Sequence, residues 1–354
     1  MRHQLKLYGT FGPSCHTVDT LVDMLRAGMT GIRLNLSHSD LKSCHEWMMN
    51  LHKASEVTHI VPDLLCDLGG RELRVGRINK PITLKEQADV ILYRVGADDS
   101  TSTHPAIPIP EILIDRLVDN DAWPVILKLD DGKLTLQVTE AKRTDDEETI
   151  LLAKVMVGGT LSSRKSIACE QLDLNLPPVS QEDLENIGYF GTYGVSGIMV
   201  PFTQYPKDLI EIKSILVQRG LVHIKIFAKI ENETGLENLP SLIPHCDEII
   251  IARGDLGNNL PMKKVPLAQK KIAALCQRTK TPFMVVTQML ASMEESSTPT
   301  RAEVSDIFNA VLDGASSLML TGETAAGKHP LEAMKVLSEV SFEAQRYQID
   351  RQFF

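Results

Sequence analysis

A short apolar run followed by a stretch of helical period recurs eight times along these 354 residues, and no other feature limits the fold as much. The runs are LKLYG (5–9), GIRLNL (31–36), IVPDLLCDL (60–68), GIMVPF (197–202), HIKIFAKI (223–230), CDEIIIA (246–252), PFMVVTQ (282–288) and SSLMLT (316–321). Runs apolar on both faces need cover on both, and alternation with helices makes the strands parallel. Eight such units specify a TIM barrel, with its site at the carboxyl ends of the strands.

The helical stretches carry their own punctuation. Thr17 opens the first, with Val18, Leu21, Val22 and Leu25 on one stripe, and Gly28 closes it. Ser180 with Asp183, and Thr300 with Glu303, have the spacing of capping boxes. Pro266 falls where the first turn of the sixth helix tolerates it. From about Val75 to Ser166 the texture changes to short β-like runs between DDS, DDG, DDE and GG turns, without a helix of crossover length. This predicts an α/β protein: a barrel over 1–75 and 167–354, and a mostly-β insertion over 76–166 after the third strand.

The strand ends carry the chemistry. In HIKIFAKIEN, Lys229 and Glu231 stand two apart and leave one face of the strand together. DEIIIA runs into ARGDLG, which reads as a Gly-flanked loop presenting Asp255 and its amides. Two carboxylates on neighbouring strand ends, with a lysine between them, suit a hard divalent cation holding an oxyanion. Arg33, Asn35 and Ser37 share a face on the second strand, and Asp67 ends the third. The plain alternatives are a strand-end salt bridge for Lys229 and Glu231 and a turn aspartate for Asp255.

A formal charge of −9 argues against nonspecific nucleic-acid binding. The six cysteines form no CxxC pair and the ten histidines no HExxH. No apolar run is long enough to span a bilayer, and MRHQLKLYGT is not a signal peptide, so a cytoplasmic protein is expected.

The blocks GTFGPSC, AGMTGIRLNLSH, KIFAKIENETGLEN, IARGDLG, MVVTQMLASM and PTRAEVSDIFNAVLDGASSLMLTGETAAGKHP, in this order, resemble pyruvate kinase. The resemblance implies a β-rich lid on the barrel and phosphoryl transfer between phosphoenolpyruvate and ADP. It implies Mg²⁺ (or Mn²⁺) on Glu231 and Asp255, and K⁺ among Asn35, Ser37, Asp67 and Leu68. Lys229 and Arg33 would act on the phosphoryl group, and Thr287 near proton transfer to the enolpyruvate. Amides around Ala252, Arg253, Gly254 and Asp255 would hold the substrate carboxylate. Thr10, Pro13, His38, Arg74 and Lys165 match nucleotide-side positions. A homodimer through the barrel domains, near Arg301 and Glu303, is implied, or mixed oligomers with full-length relatives.

The chain departs from the family pattern in four places. DTKGPEIR becomes Asp67-Leu68-Gly69-Gly70-Arg71-Glu72-Leu73-Arg74, and KGVNLPG becomes Lys165-Ser166-Ile167-Ala168-Cys169-Glu170-Gln171. ASFxR becomes Val200-Pro201-Phe202-Thr203-Gln204, and Ser43 replaces a common aromatic. The likeness stops soon after the eighth helix, so effector control through the family's C-terminal domain is not expected. Alternatives to a kinase are a weakened or inactive regulatory subunit, and metal-assisted enolate chemistry without a nucleotide.

Overall fold

Eight parallel strands close into the barrel: β1 (Lys6–Thr10), β2 (Gly31–Asn35), β3 (Asp63–Asp67), β4 (Gly197–Val200), β5 (Lys225–Ile230), β6 (Glu248–Ala252), β7 (Phe283–Val286) and β8 (Ser317–Met319). Each pairs with its sequence neighbour, and β1 closes the ring on β8 through Lys6↔Ser317. The computed structural model describes residues 5–37, 39–96, 104–120, 123–130, 132–143, 148–169 and 176–350. Contacts divide the chain into two units, Met1–Arg71 with Pro177–Phe354, and Glu72–Leu176.

Strand alternation sorts the barrel's side chains into two cores. Tyr8, Leu65, Met199, Phe227, Ile250, Met284 and Met319 fill the interior. Leu7, Leu64, Ile198, Ile226, Ile249, Val285 and Leu318 point out into the layer shared with the helices. Glycine is needed where the interior is crowded: a Cβ on Gly31 would lie 2.4 Å from the Tyr8 ring, and one on Gly197 2.6 Å from Phe227. The helices start where the sequence says. Thr17, Ser180 and Thr300 accept from backbone N–H groups in their first turns, and the last two complete capping boxes. Pro266 sits in the first turn of Val265–Thr279.

The second unit is a seven-stranded sheet. Its order is Leu73–Arg74, Ser166–Ala168, Val125–Leu129, Leu134–Arg143, Thr149–Val157, Asp89–Arg94 and Ala106–Ile109, with a separate pair Ile82–Leu84 and Gly159–Leu161. All its pairings are antiparallel except the last, Asp89–Arg94 with Ala106–Ile109. One expectation fails: residues Glu111–Asn120 form a ten-residue helix. Its apolar residues Leu113, Ile114 and Leu117 are buried with the sheet's core, so the crossover from the edge strand Ala106–Ile109 to Val125–Leu129 is helical.

At the foot of the barrel Glu248 is 8% exposed, and Ser316 Oγ donates to its Oε1 at 3.1 Å. Burial pushes this carboxyl above its ordinary value near 4.5, against the opposing pull of Ser317, Ser316, Lys6 and Lys225. A carboxyl raised in the folded state gives its full stability only below its unfolded value and loses it as pH rises through the folded one. Glu248→Gln stays neutral, so its thermal midpoint will exceed the parent's at pH 8 and the gap will narrow toward pH 4.5. A gap that does not change with pH contradicts this.

Candidate functional site

The interior faces of the strands change character at their carboxyl ends. On β3 the row continues from Leu65 to Asp67, and on β5 from Phe227 to Lys229 and then Glu231, one residue past the strand. Register sets the levels: Asn35 lies beside Asp67, which lies beside Met199, and Lys229 beside Ile250. Apolar layers below and polar side chains above are what a filled barrel with a site at its mouth requires.

These side chains form one connected cluster. Arg33 donates to Asp67 Oδ2 through Nε at 2.9 Å and Nη2 at 2.6 Å, and Lys229 Nζ reaches the same oxygen at 3.2 Å. Lys229 Nζ is also 2.9 Å from Glu231 Oε1. Arg33 Nη1 lies 3.5 Å from Thr10 Oγ1, which itself donates to Leu320 O. Asp67 and Glu231 are each 1% exposed. Burial alone would raise the Asp67 carboxyl, but Lys229 and Arg33 beside it prevail and hold it below its ordinary value. Burial would lower Lys229, but Asp67 and Glu231 outweigh it and keep the ammonium charged. Glu231 goes the other way: burial, reinforced by the Asp255 charge, pushes it up to about 7 despite Lys229.

Three oxygens are notable for their lack or scarcity of partners. Among the described residues, Asp67 Oδ1 is buried with no hydrogen bond, and Glu231 Oε1 has only the ion pair with Lys229. Glu231 Oε2 accepts from the Phe202 N–H at 2.6 Å. Phe202 has φ +47, a left-handed conformation that a bulky residue adopts at a cost of about 1–3 kcal/mol. The distorted backbone after β4 thus aims an amide at a buried carboxylate. The sequence ending Val200-Pro201-Phe202 gives no sign of this, because the strand stops at Val200.

ARGDLG is not the expected loop. Residues Arg253–Asn259 form a short helix with Asp255 in its first turn. It is held from outside: the Gly254 N–H donates to Thr287 Oγ1 at 2.7 Å, and Arg253 pairs with Asp306 at 2.5 Å. Arg253 Nη2 also donates to Thr287 O at 2.8 Å. Thr287 and Gln288 are both left-handed, with φ +69 and +53, so Arg253 meets the carbonyls of a strained turn. Ala252 ends β6 directly beneath. Asn259, which sequence reading passed over, donates its side-chain amide to Glu231 O at 3.1 Å and Asp255 O at 2.9 Å.

The other candidates are spread more widely. Asn35 Oδ1 accepts from the Ser37 N–H at 3.1 Å, Ser37 is buried, and Leu68 N–H donates to Met199 O at 3.0 Å. Pro13 is exposed and its carbonyl meets His16 Nδ1 at 3.0 Å. Arg74 and Lys165 belong to the second unit: Arg74 meets Glu72 and Arg164 O, and Lys165 Nζ lies 2.9 Å from Asp130 Oδ1. His38, Glu170 and Gln171 lie outside the described residues.

Among the described residues no three His, Cys, Asp or Glu side chains are grouped to hold a metal by themselves. Glu231 and Asp255, whose charges act on each other, offer only oxygen donors, the type a magnesium-type cation takes when one or two carboxylates are completed by water and substrate phosphate.

The comparisons agree with this architecture. The family model described as pyruvate kinase, barrel domain, matches residues 2–334. A pyruvate kinase of Geobacillus stearothermophilus is 33% identical over 351 residues, covering 98% of this chain and 58% of that protein. Pyruvate kinase 2 of Synechocystis is 35% identical, covering 95% of this chain and 56% of its own length. One from Mycobacterium tuberculosis is 32% identical, with 96% and 70% covered. This chain therefore spans little more than half the length of the first two. A parallel eight-stranded barrel, a sheet inserted after its third strand and a family match over almost the whole sequence place this chain in the pyruvate kinase family.

Proposed function

We propose that this chain transfers the phosphoryl group of phosphoenolpyruvate to ADP, giving pyruvate and ATP. The observation that carries the reading is the Arg33–Asp67–Lys229–Glu231 cluster: two partly buried cations and two buried carboxylates converging at the barrel mouth. Phosphoryl transfer asks a protein mainly for in-line positioning and fixed charge around the transferring oxygens.

In this reading Arg33 and Lys229 turn from Asp67 toward the phosphoryl group and offset its charge as the bond to the enol oxygen breaks and the bond to the ADP oxygen forms. Mg²⁺ on Glu231 and Asp255 would polarise the phosphoryl and carboxylate oxygens when bound. The substrate carboxylate would sit on the amides around Ala252, Arg253, Gly254 and Asp255, the Gly254 N–H exchanging its present bond to Thr287 Oγ1 for one to the substrate. The enolate left behind takes a proton at its methylene from the side of Thr287. Asp67 Oδ1, buried without a partner, supports a monovalent cation among Asn35, Ser37, Asp67 and Leu68. On the barrel, Thr10 and Pro13 would meet the nucleotide, and the barrel domains would pair as a dimer.

Pyruvate formation from phosphoenolpyruvate, ADP, Mg²⁺ and K⁺, followed through NADH in a lactate dehydrogenase assay, tests the proposal. Turnover well above a Lys229→Ala blank is expected, and none above it refutes the reading. A second reading, a weakened subunit that keeps the metal site and binds nucleotide poorly, is favoured by one observation: Lys165 is already paired with Asp130. Calorimetric titration of ADP in the presence of Mg²⁺ and phosphoenolpyruvate separates the two, since only the first requires ADP to bind.

A further inference from the structure

We infer that Asn259 is a positioning residue for the divalent-cation site, a clamp that sets the distance between the backbone segments carrying Glu231 and Asp255. This rests on the reading that those two carboxylates share one cation.

The β5–β6 ladder ties the two segments together only as far as Ile230↔Ile251. Glu231 lies one residue beyond that last pair and Asp255 four residues beyond it, on a separate short helix. Beyond that pair, among the described residues, Leu236 packs on Leu256 and Leu260, and Asn259 supplies a hydrogen-bonded tie. A side-chain amide has two N–H donors, and here one goes to Glu231 O and the other to Asp255 O. The second bond is local, four residues back along the helix, a recurrent pattern for asparagine. The first spans 28 residues and joins the two segments that bear the ligands; a capping role does not account for it. The residue type follows from the acceptors. Two carbonyl oxygens require two donors, so an aspartate here would face them with none and add a third negative charge beside Glu231 and Asp255.

Partners outside the first coordination shell change metal affinity by about 10- to 100-fold when removed. The test is the affinity of the whole protein for Mn²⁺, read from the electron paramagnetic resonance signal of free Mn²⁺, beside the metal-free thermal midpoint. Asn259→Ala is expected to weaken Mn²⁺ binding about 10-fold with the midpoint nearly unchanged. Asn259→Asp is expected to weaken it as well, although it adds a carboxylate. Tighter Mn²⁺ binding by Asn259→Asp makes residue 259 a direct ligand and overturns the inference. So does a lowered midpoint with unchanged affinity, which is the signature of a purely structural residue. Glu231→Gln and Asp255→Asn serve as controls. If they abolish binding while Asn259→Ala leaves it unchanged, the clamp alone fails; if they too leave it unchanged, the shared-cation reading fails and the clamp with it.

Discussion

Lys229→Met is expected to lower kcat for pyruvate formation by about 100- to 1,000-fold, with the KM for phosphoenolpyruvate changed little. The lysine is buried, charged, and held between Asp67 and Glu231 without being used up in either pair. Losing one preorganised donor of this kind costs about 2.7–4 kcal/mol of barrier. The cost falls on kcat because the interaction strengthens as charge builds on the transferring group, whereas ground-state binding also draws on Arg33 and the amides near Gly254. Methionine keeps the length and apolar stem of the side chain, so the fold survives. A rise in KM alone, with kcat intact, would make Lys229 an ordinary binding residue.

Asp67→Ala is expected to produce the largest loss of stability. Its Oδ2 takes three donor contacts from two partly buried cations, and the variant leaves both uncompensated except for Glu231. Breaking a buried pair by removing one partner costs about 3–5 kcal/mol. For a unit of this size that corresponds to a fall in thermal midpoint on the order of 10 °C, measurable by calorimetry. The sign with pH is fixed by the depressed carboxyl. The contribution of Asp67 itself is present above the unfolded value near 3.8 and is lost only as pH falls through the lower folded one. A deficit below about 1 kcal/mol would mean that the cluster is effectively solvated.

The parts of the molecule legible in the sequence are those governed by local rules. Strand alternation puts Lys229 and Glu231 on one face, and the register carries that face to the barrel interior. Hydroxyl and carboxylate spacing marks the helix starts at Ser180 and Thr300. Tertiary contacts decide the rest. Arg253–Asn259 contains Gly254 and Gly257, each costing about 1 kcal/mol in a helix, yet it is helical because Thr287, Asp306 and Leu256 packing hold it. The helix Glu111–Asn120 has a short stripe framed by Pro110 and set among β-like runs, so its texture hides its period. The Phe202 backbone amide meets a side-chain carboxylate 29 residues away and the Asn259 side chain a backbone carbonyl 28 residues away, and no local pattern encodes such a pairing.

In the proposed mechanism one divalent ion is held by Glu231 and Asp255 beside Lys229. Anomalous diffraction from crystals soaked in Mn²⁺ and phosphoenolpyruvate addresses it directly. A single strong peak is expected about 2.1 Å from one oxygen of each carboxylate, with the Lys229 ammonium facing the phosphate. A peak elsewhere, or carboxyl groups that stay about 8 Å apart with the metal present, would contradict it.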